Sequence, residues 1–121
     1  AGFNDLIRPA FYGSHHQISI IPADQRLLTH RVEAIIAGPL CESADVFTQE
    51  EGGYVVKRSL PEARVGDYLV LHDAGAYGSS MSSNYNSRPL AAELLEVDGK
   101  LVLIRQRQKL EELYRNERIP H

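Results

Sequence analysis

Six short runs of β-branched and apolar residues, separated by turn-forming pairs, limit what this chain can fold into. They are QISIIP (17–22), HRVEAIIAGP (30–39), GYVVKRSL (53–60), DYLVLHDAG (67–75), AAELLEV (91–97) and KLVLIRQ (100–106), each of strand length. In the second run Val32, Ala34 and Ile36 alternate with Arg31, Glu33 and Ile35, which puts the two sets on opposite faces of a strand. Val65-Gly66-Asp67 leads into the fourth run. Asp98-Gly99 joins the last two, and both residues tolerate the positive φ of a type I′ hairpin turn. Short strands between turns favour a sandwich or a barrel over a parallel sheet. The expected fold class is therefore mainly β, with a short helix at each end. At the N-terminus Asn4 or Asp5 can cap a helix, with Leu6, Ile7, Ala10 and Phe11 as its apolar stripe, Pro9 in its first turn and Gly13 at its end. At the C-terminus, QKLEELYRNE (108–117) places Leu110, Leu113 and Tyr114 on one helical face.

Composition removes several function classes. The chain has 121 residues, enough for one domain but too few for an α/β barrel of about 250 residues. A net charge of −3 and 7% aromatic residues give no electrostatic or stacking case for nucleic acid. No apolar run is long enough to cross a bilayer. The first residues lack the basic and apolar regions of a secretory leader, and a start without Met fits a processed or excised piece. A single cysteine, Cys41, excludes an internal disulfide and a cysteine-based zinc cluster and fits a reducing compartment. No repeat or long linker divides the chain.

Three places could carry chemistry. Cys41-Glu42-Ser43 follows the Gly38-Pro39 turn. A lone cysteine is most often a small buried hydrophobe; beside a carboxylate at a loop tip it could instead be a proton donor or nucleophile. GAYGSSMSSNYNSRP (75–89) is longer than an ordinary hairpin loop. Gly75 and Gly78 bracket Tyr77 and permit close backbone approach, and Ser79, Ser80, Ser82, Ser83, Asn84, Tyr85 and Asn86 gather hydroxyls and amides. Such a loop could bind a phosphate or be a flexible polar connection; without a Walker lysine it does not support nucleotide hydrolysis. Arg8 and Tyr12, four apart, share a helical face. Their alternatives are a fork for a carboxylate or an arginine stem lying on a ring. His15 and His16 are adjacent and point apart in an extended segment, and His30, His72 and His121 have no ligand spacing, so no metal is expected.

Taken in order, AGFNDLIRPAFYG (1–13), GPLCESAD (38–45) and DAGAYGSSMSSNYNSRPLAAELL (73–95) resemble the C-terminal part of the diaminopimelate decarboxylases. These belong to the pyridoxal-phosphate (PLP) decarboxylases that pair an alanine-racemase-like α/β barrel with a β-domain. The resemblance implies a Greek-key-like β-barrel or sandwich over residues 16–121, with residues 1–15 as the tail end of the PLP-binding barrel. It implies that Arg8 and Tyr12 bind a substrate carboxylate, that Glu42 binds the distal ammonium, that Cys41 donates the proton, and that Tyr77 contacts cofactor and substrate. It implies a cytoplasmic homodimer in which the Cys-Glu loop completes the partner's site. Lys57, Lys100 and Lys109 lie outside the matched motifs, so the Schiff-base lysine is expected upstream and the chain alone is expected to be inactive. The parent reaction would convert meso-2,6-diaminopimelate to L-lysine and CO2. An ornithine, arginine or carboxynorspermidine decarboxylase, or a stand-alone β-domain that binds a protein partner, are the alternatives.

Overall fold

The computed structural model describes residues 1–120, so His121 lies outside the described residues. All six expected strands form, shorter than the runs that contain them: β1 Ile18–Ile21, β2 Arg31–Ala34, β3 Arg58–Pro61, β4 Tyr68–Leu71, β5 Glu93–Val97 and β6 Lys100–Arg105. They pair antiparallel as three two-stranded sheets, β1 with β4, β2 with β3 and β5 with β6. β1 also lies against β3, which joins the first two sheets. Among the described residues these sheets do not close into a barrel.

The core lies between β1, β3 and the segment before residue 50. Ile18 and Ile20 alternate inward from β1 and meet Leu60 of β3, Phe47 and Leu6, all buried. β2 alternates as expected, with Val32 and Ala34 turned inward and Arg31 and Glu33 exposed. The third run pairs late because Glu51–Gly53 form a tight turn, leaving Tyr54 and Val55 on the surface. The β5–β6 turn is as expected: Asp98 (φ 50°) and Gly99 (φ 75°) are both left-handed. That hairpin nonetheless buries little, since Leu94, Leu95, Val97 and Leu101–Ile104 are all exposed.

The terminal helices are shorter than the sequence suggests. α1 spans Arg8–Tyr12, with Pro9 in its first turn and Gly13 at φ 63° as its C-cap. Neither Asn4 nor Asp5 caps it; Ile7 holds the cap position with no side-chain bond. Asp5 instead closes a turn by accepting from the Gly2 N–H at 3.0 Å, and the Asn4 amide is buried without a partner. Local geometry made both residues plausible caps; the turn at residues 2–5 takes the Asp5 carboxylate, and the helix starts three residues beyond Asp5. Leu6 is buried from the expected stripe, but Phe11 is exposed. Gly75–Gly78 form a tight turn in which Ala76 and Tyr77 lie outside helical φ/ψ, and the tail helix is reduced to α2, Glu111–Tyr114. Leu110 and Tyr114 have no apolar surface to cover and are exposed.

Asp67 pins the entry to β4. Its side chain is only 3% exposed and accepts from the Ala23 and Arg64 backbone N–H groups and from both Arg26 guanidinium nitrogens. The Arg26 hydrogen bonds, helped by the Arg64 N–H, hold the Asp67 carboxyl well below the ordinary carboxylate range. A depressed native pKa means that the unfolded chain binds the proton more tightly. The stabilisation is then complete above about pH 4, the unfolded value, and is lost as pH falls further. We expect the denaturant midpoint to drop on acidification below about pH 4. Asp67→Asn should lower the midpoint at pH 7 and flatten that acid limb; an unchanged limb would contradict the assignment.

Candidate functional site

Residues 38–45 form a loop with a locked base and an exposed tip. An antiparallel bridge joins Ala37 to Val46, and the Gly38 N–H donates to the Asp45 carbonyl at 2.8 Å. The Asp45 side chain, in a residue 2% exposed, accepts from the Phe3 N–H at 2.7 Å and from the Leu40 N–H at 2.8 Å. Gly38 is required here because a Cβ would lie 2.2 Å from an Asp45 carboxylate oxygen. Behind the loop, Thr48 is fully buried and its hydroxyl accepts from the Ile36 N–H at 3.1 Å. Gln49 donates to the Ala44 and Val46 carbonyls. Cys41, Glu42 and Ser43 are exposed at the tip. The buried-hydrophobe alternative for Cys41 is therefore set aside.

A second cluster forms around Arg8. Its guanidinium lies over the Tyr12 ring, 5.2 Å from the centroid, and over the Tyr77 ring, 5.0 Å away. The first contact follows from helical spacing and the second from tertiary structure. The ring faces attract the cation and leave both phenol hydroxyls available. Tyr77 is a non-glycine residue in the left-handed region, at φ 66° and ψ −15°, a conformation that costs energy and marks functional turns. Arg8, Ser14, His15, His16, Asp73 and Tyr77 border an open cavity of about 230 Å³. His16 Nδ1 donates to the His72 carbonyl at 2.9 Å.

The Ser/Asn-rich stretch divides differently from the sequence expectation. Gly75 is open on its Cβ side, whereas Gly78 is buried near Leu6 and Ala74. Several of the polar side chains expected to face a phosphate are used internally: Ser82 donates to the Ser79 carbonyl, and Asn84 donates to the Arg88 carbonyl and to Gln108. Tyr85 and Asn86 reach the other cluster, where Asn86 accepts from the Cys41 N–H at 2.9 Å and the Tyr85 hydroxyl donates to Glu42 at 3.4 Å. Partial burial, then the nearby Glu42 charge, raise the Tyr85 hydroxyl pKa, so it remains a donor. Arg8, Tyr12 and Tyr77 thus come together, as do Cys41 and Glu42. No hydrogen bond, ion pair or ring contact links the two groups among the described residues. Asp45 and Phe3 escaped the sequence reading because their partners lie up to 42 residues away.

A family model described as the pyridoxal-dependent decarboxylase C-terminal sheet domain matches residues 1–75, and the chain belongs to that family. It is 66% identical over 115 residues to diaminopimelate decarboxylase of Escherichia coli strain K12, covering 93% of this chain and 27% of the relative. A crystal structure of diaminopimelate decarboxylase superposes with a TM-score of 0.91 at 65% identity, over 95% of this chain and 28% of the other. The Helicobacter pylori enzyme complexed with L-lysine superposes with a TM-score of 0.79 at 40% identity, over 95% and 26%. The chain thus spans little more than a quarter of the relatives it matches. Among the described residues no helix is long and apolar enough to cross a membrane.

Asp45→Ala would strand two buried N–H donors at the base of the loop. It should lower stability by about 2–4 kcal/mol, measured by urea unfolding. Asp45→Asn keeps an acceptor oxygen and should cost less; equal losses would remove the acceptor role.

Proposed function

We propose that this chain is the sheet-domain part of a PLP-dependent diaminopimelate decarboxylase whose whole converts meso-2,6-diaminopimelate to L-lysine and CO2. The observation that carries this reading is a thiol and a carboxylate, Cys41 and Glu42, presented to solvent on a loop whose base is fixed. Such a tip is suited to entering a site on another surface. The identity with the Escherichia coli enzyme supports the reading. So does the lysine complex of the Helicobacter pylori relative, since L-lysine is the product this reading requires.

In this reading residues 1–15 are the tail end of the PLP-binding α/β barrel and residues 16–121 are the sheet domain. Strands from the rest of the parent would complete the Greek-key-like barrel and cover the exposed apolar β5–β6 hairpin. The active unit is a cytoplasmic head-to-tail homodimer in which the Cys41–Glu42 tip completes the partner's site. The chemistry around Tyr77 fits one end of PLP: a phenol hydroxyl and the open Gly75 backbone suit a phosphate. No lysine borders that cavity, so the aldehyde end would be held by residues outside this chain. PLP, when bound, supplies the sink for the electron pair left as CO2 departs.

This chain's own residues then have separate tasks. Arg8, braced by two rings, presents its fork to the distal carboxylate of the substrate, and the Tyr12 hydroxyl adds a donor. Glu42 pairs with the distal ammonium. Cys41 Sγ gives its proton to the carbon that has lost CO2 and regains one from water. A substrate with an amino-acid head at both ends needs both charges; a simple diamino acid does not need Arg8.

Incubated with PLP and meso-diaminopimelate, this chain alone should release no CO2; clear turnover would defeat the shared-site reading. In the full-length parent, Cys41→Ala should lower kcat by about 10²–10⁴-fold at unchanged Tm, whereas a Tm loss with normal turnover would restore a packing role. Arg8→Ala should abolish diaminopimelate turnover while sparing any activity on ornithine, and equal losses on both would argue for a non-specific role.

A further inference from the structure

Cys41 and Glu42 lie on an exposed tip, yet the tip is held. Its backbone is tied across the chain through one bond, from the Cys41 N–H to Asn86 Oδ1 at 2.9 Å. The Glu42 carboxylate is met by the Tyr85 hydroxyl at 3.4 Å and by the Ser43 hydroxyl at 3.2 Å. Tyr85 is itself fixed, with its ring edge-on to Phe3 at 5.1 Å and 78°. Phe3 is the residue whose N–H is held by Asp45. A closed circuit therefore runs from Asp45 through Phe3 and Tyr85 to Glu42. The segment carrying Tyr85 and Asn86 is anchored immediately before them, by the Ser83 N–H on the Asn4 carbonyl at 2.9 Å and by Asn84 on Gln108 at 2.6 Å.

Asn86 occupies the left-handed region at φ 55° and ψ 30°. Among residues with a side chain, asparagine is one of the few that adopt it readily. A glycine would be as comfortable there but would offer no acceptor. The bond is solvent-exposed, so its net effect on stability is small, whereas a tip displaced by even 1 Å can slow a positioned group by about 100-fold.

We propose that Asn86 and Tyr85 are positioning residues: Asn86 sets where the Cys41 thiol points, and Tyr85 sets where the Glu42 carboxylate points. The proposal rests on the proton-donor and ammonium-binding roles inferred above. It assigns the far end of the Ser/Asn-rich loop to the thiol tip, while the near end, at Tyr77, belongs to the Arg8 cluster.

The test uses the full-length parent dimer with Asn86→Gly, Asn86→Asp, Tyr85→Phe and Cys41→Ala. Asn86→Gly keeps the backbone conformation and removes the acceptor; it should lower kcat by about tenfold or more with little change in Tm. Turnover in D2O adds a readout that a structural role would not move. A placed thiol delivers deuterium to one face of the carbon, so lysine should be stereochemically pure from the parent and partly scrambled from Asn86→Gly. Asn86→Asp retains the acceptor and should recover most of both. Tyr85→Phe should raise KM about threefold, the effect of losing one long hydrogen bond, with kcat held. If Asn86→Gly gives parental kcat and pure product while Cys41→Ala is dead, positioning by Asn86 is overturned and the donor reading stands. If Cys41→Ala turns over at the parental rate, the donor reading falls and takes this inference with it. Equal impairment of the Gly and Asp variants, or a Tyr85→Phe variant with parental KM, would also overturn the corresponding half.

Discussion

The Asp45 carboxylate is the tie on which the described site depends. A carboxylate removed from water must be met by donors, and Asp45 is met by two backbone N–H groups from different parts of the chain, Phe3 and Leu40. That requirement brings the N-terminal segment against the loop, excludes any side chain at Gly38, and projects residues 41–43 outward. The apolar core, chiefly Leu6, Ile18, Ile20, Phe47 and Leu60, is small for a chain of this length. Buried polar residues behind the loop, Thr48 and Gln49, supply order through hydrogen bonds instead.

The same economy explains the surface. β5 and β6 carry consecutive apolar residues, Leu94-Leu95 and Leu101 to Ile104, so a period of two puts apolar groups on both faces. Such a hairpin belongs between two covering layers, and neither is present among the described residues. Tyr12 and Tyr77, which flank Arg8, and Phe11, which is edge-on to Tyr12, are likewise exposed. These surfaces fit a domain that functions against other parts of a larger assembly.

Much of the fold was legible locally. The strands of residues 18–21 and 31–34 follow from alternation, and the hairpin at Asp98-Gly99 follows from φ preference. Gly13 ends the first helix as a C-terminal glycine should. Local reasoning failed where a competing partner was distant or absent. Asn4 and Asp5 looked like caps, but the turn back to Gly2 took the Asp5 carboxylate, and the Asn4 side chain is buried without capping the helix. The tail helix had an apolar stripe and nothing to lay it on, so only one turn remains. Residues 75–89 suggested a phosphate-binding loop or a flexible polar connection because seven hydroxyls and amides crowd together in sequence; in space Ser82, Asn84, Tyr85 and Asn86 find partners within the chain, and only the two ends face candidate chemistry.

The sequence alone determined which residue types could carry the chemistry: a thiol beside a carboxylate after a glycine-proline turn, an arginine and a tyrosine one helical turn apart, and a tyrosine within a glycine bracket. Those are short-range facts, set by covalent order and by the periods of helix and strand. Only the tertiary structure decided that Tyr77 joins Arg8, that Asn86 and Tyr85 attach to Cys41 and Glu42, and that the two groups remain separate. Each of those contacts spans at least 43 residues, so its partner was chosen by how the chain folds back on itself, a selection that no local pattern encodes.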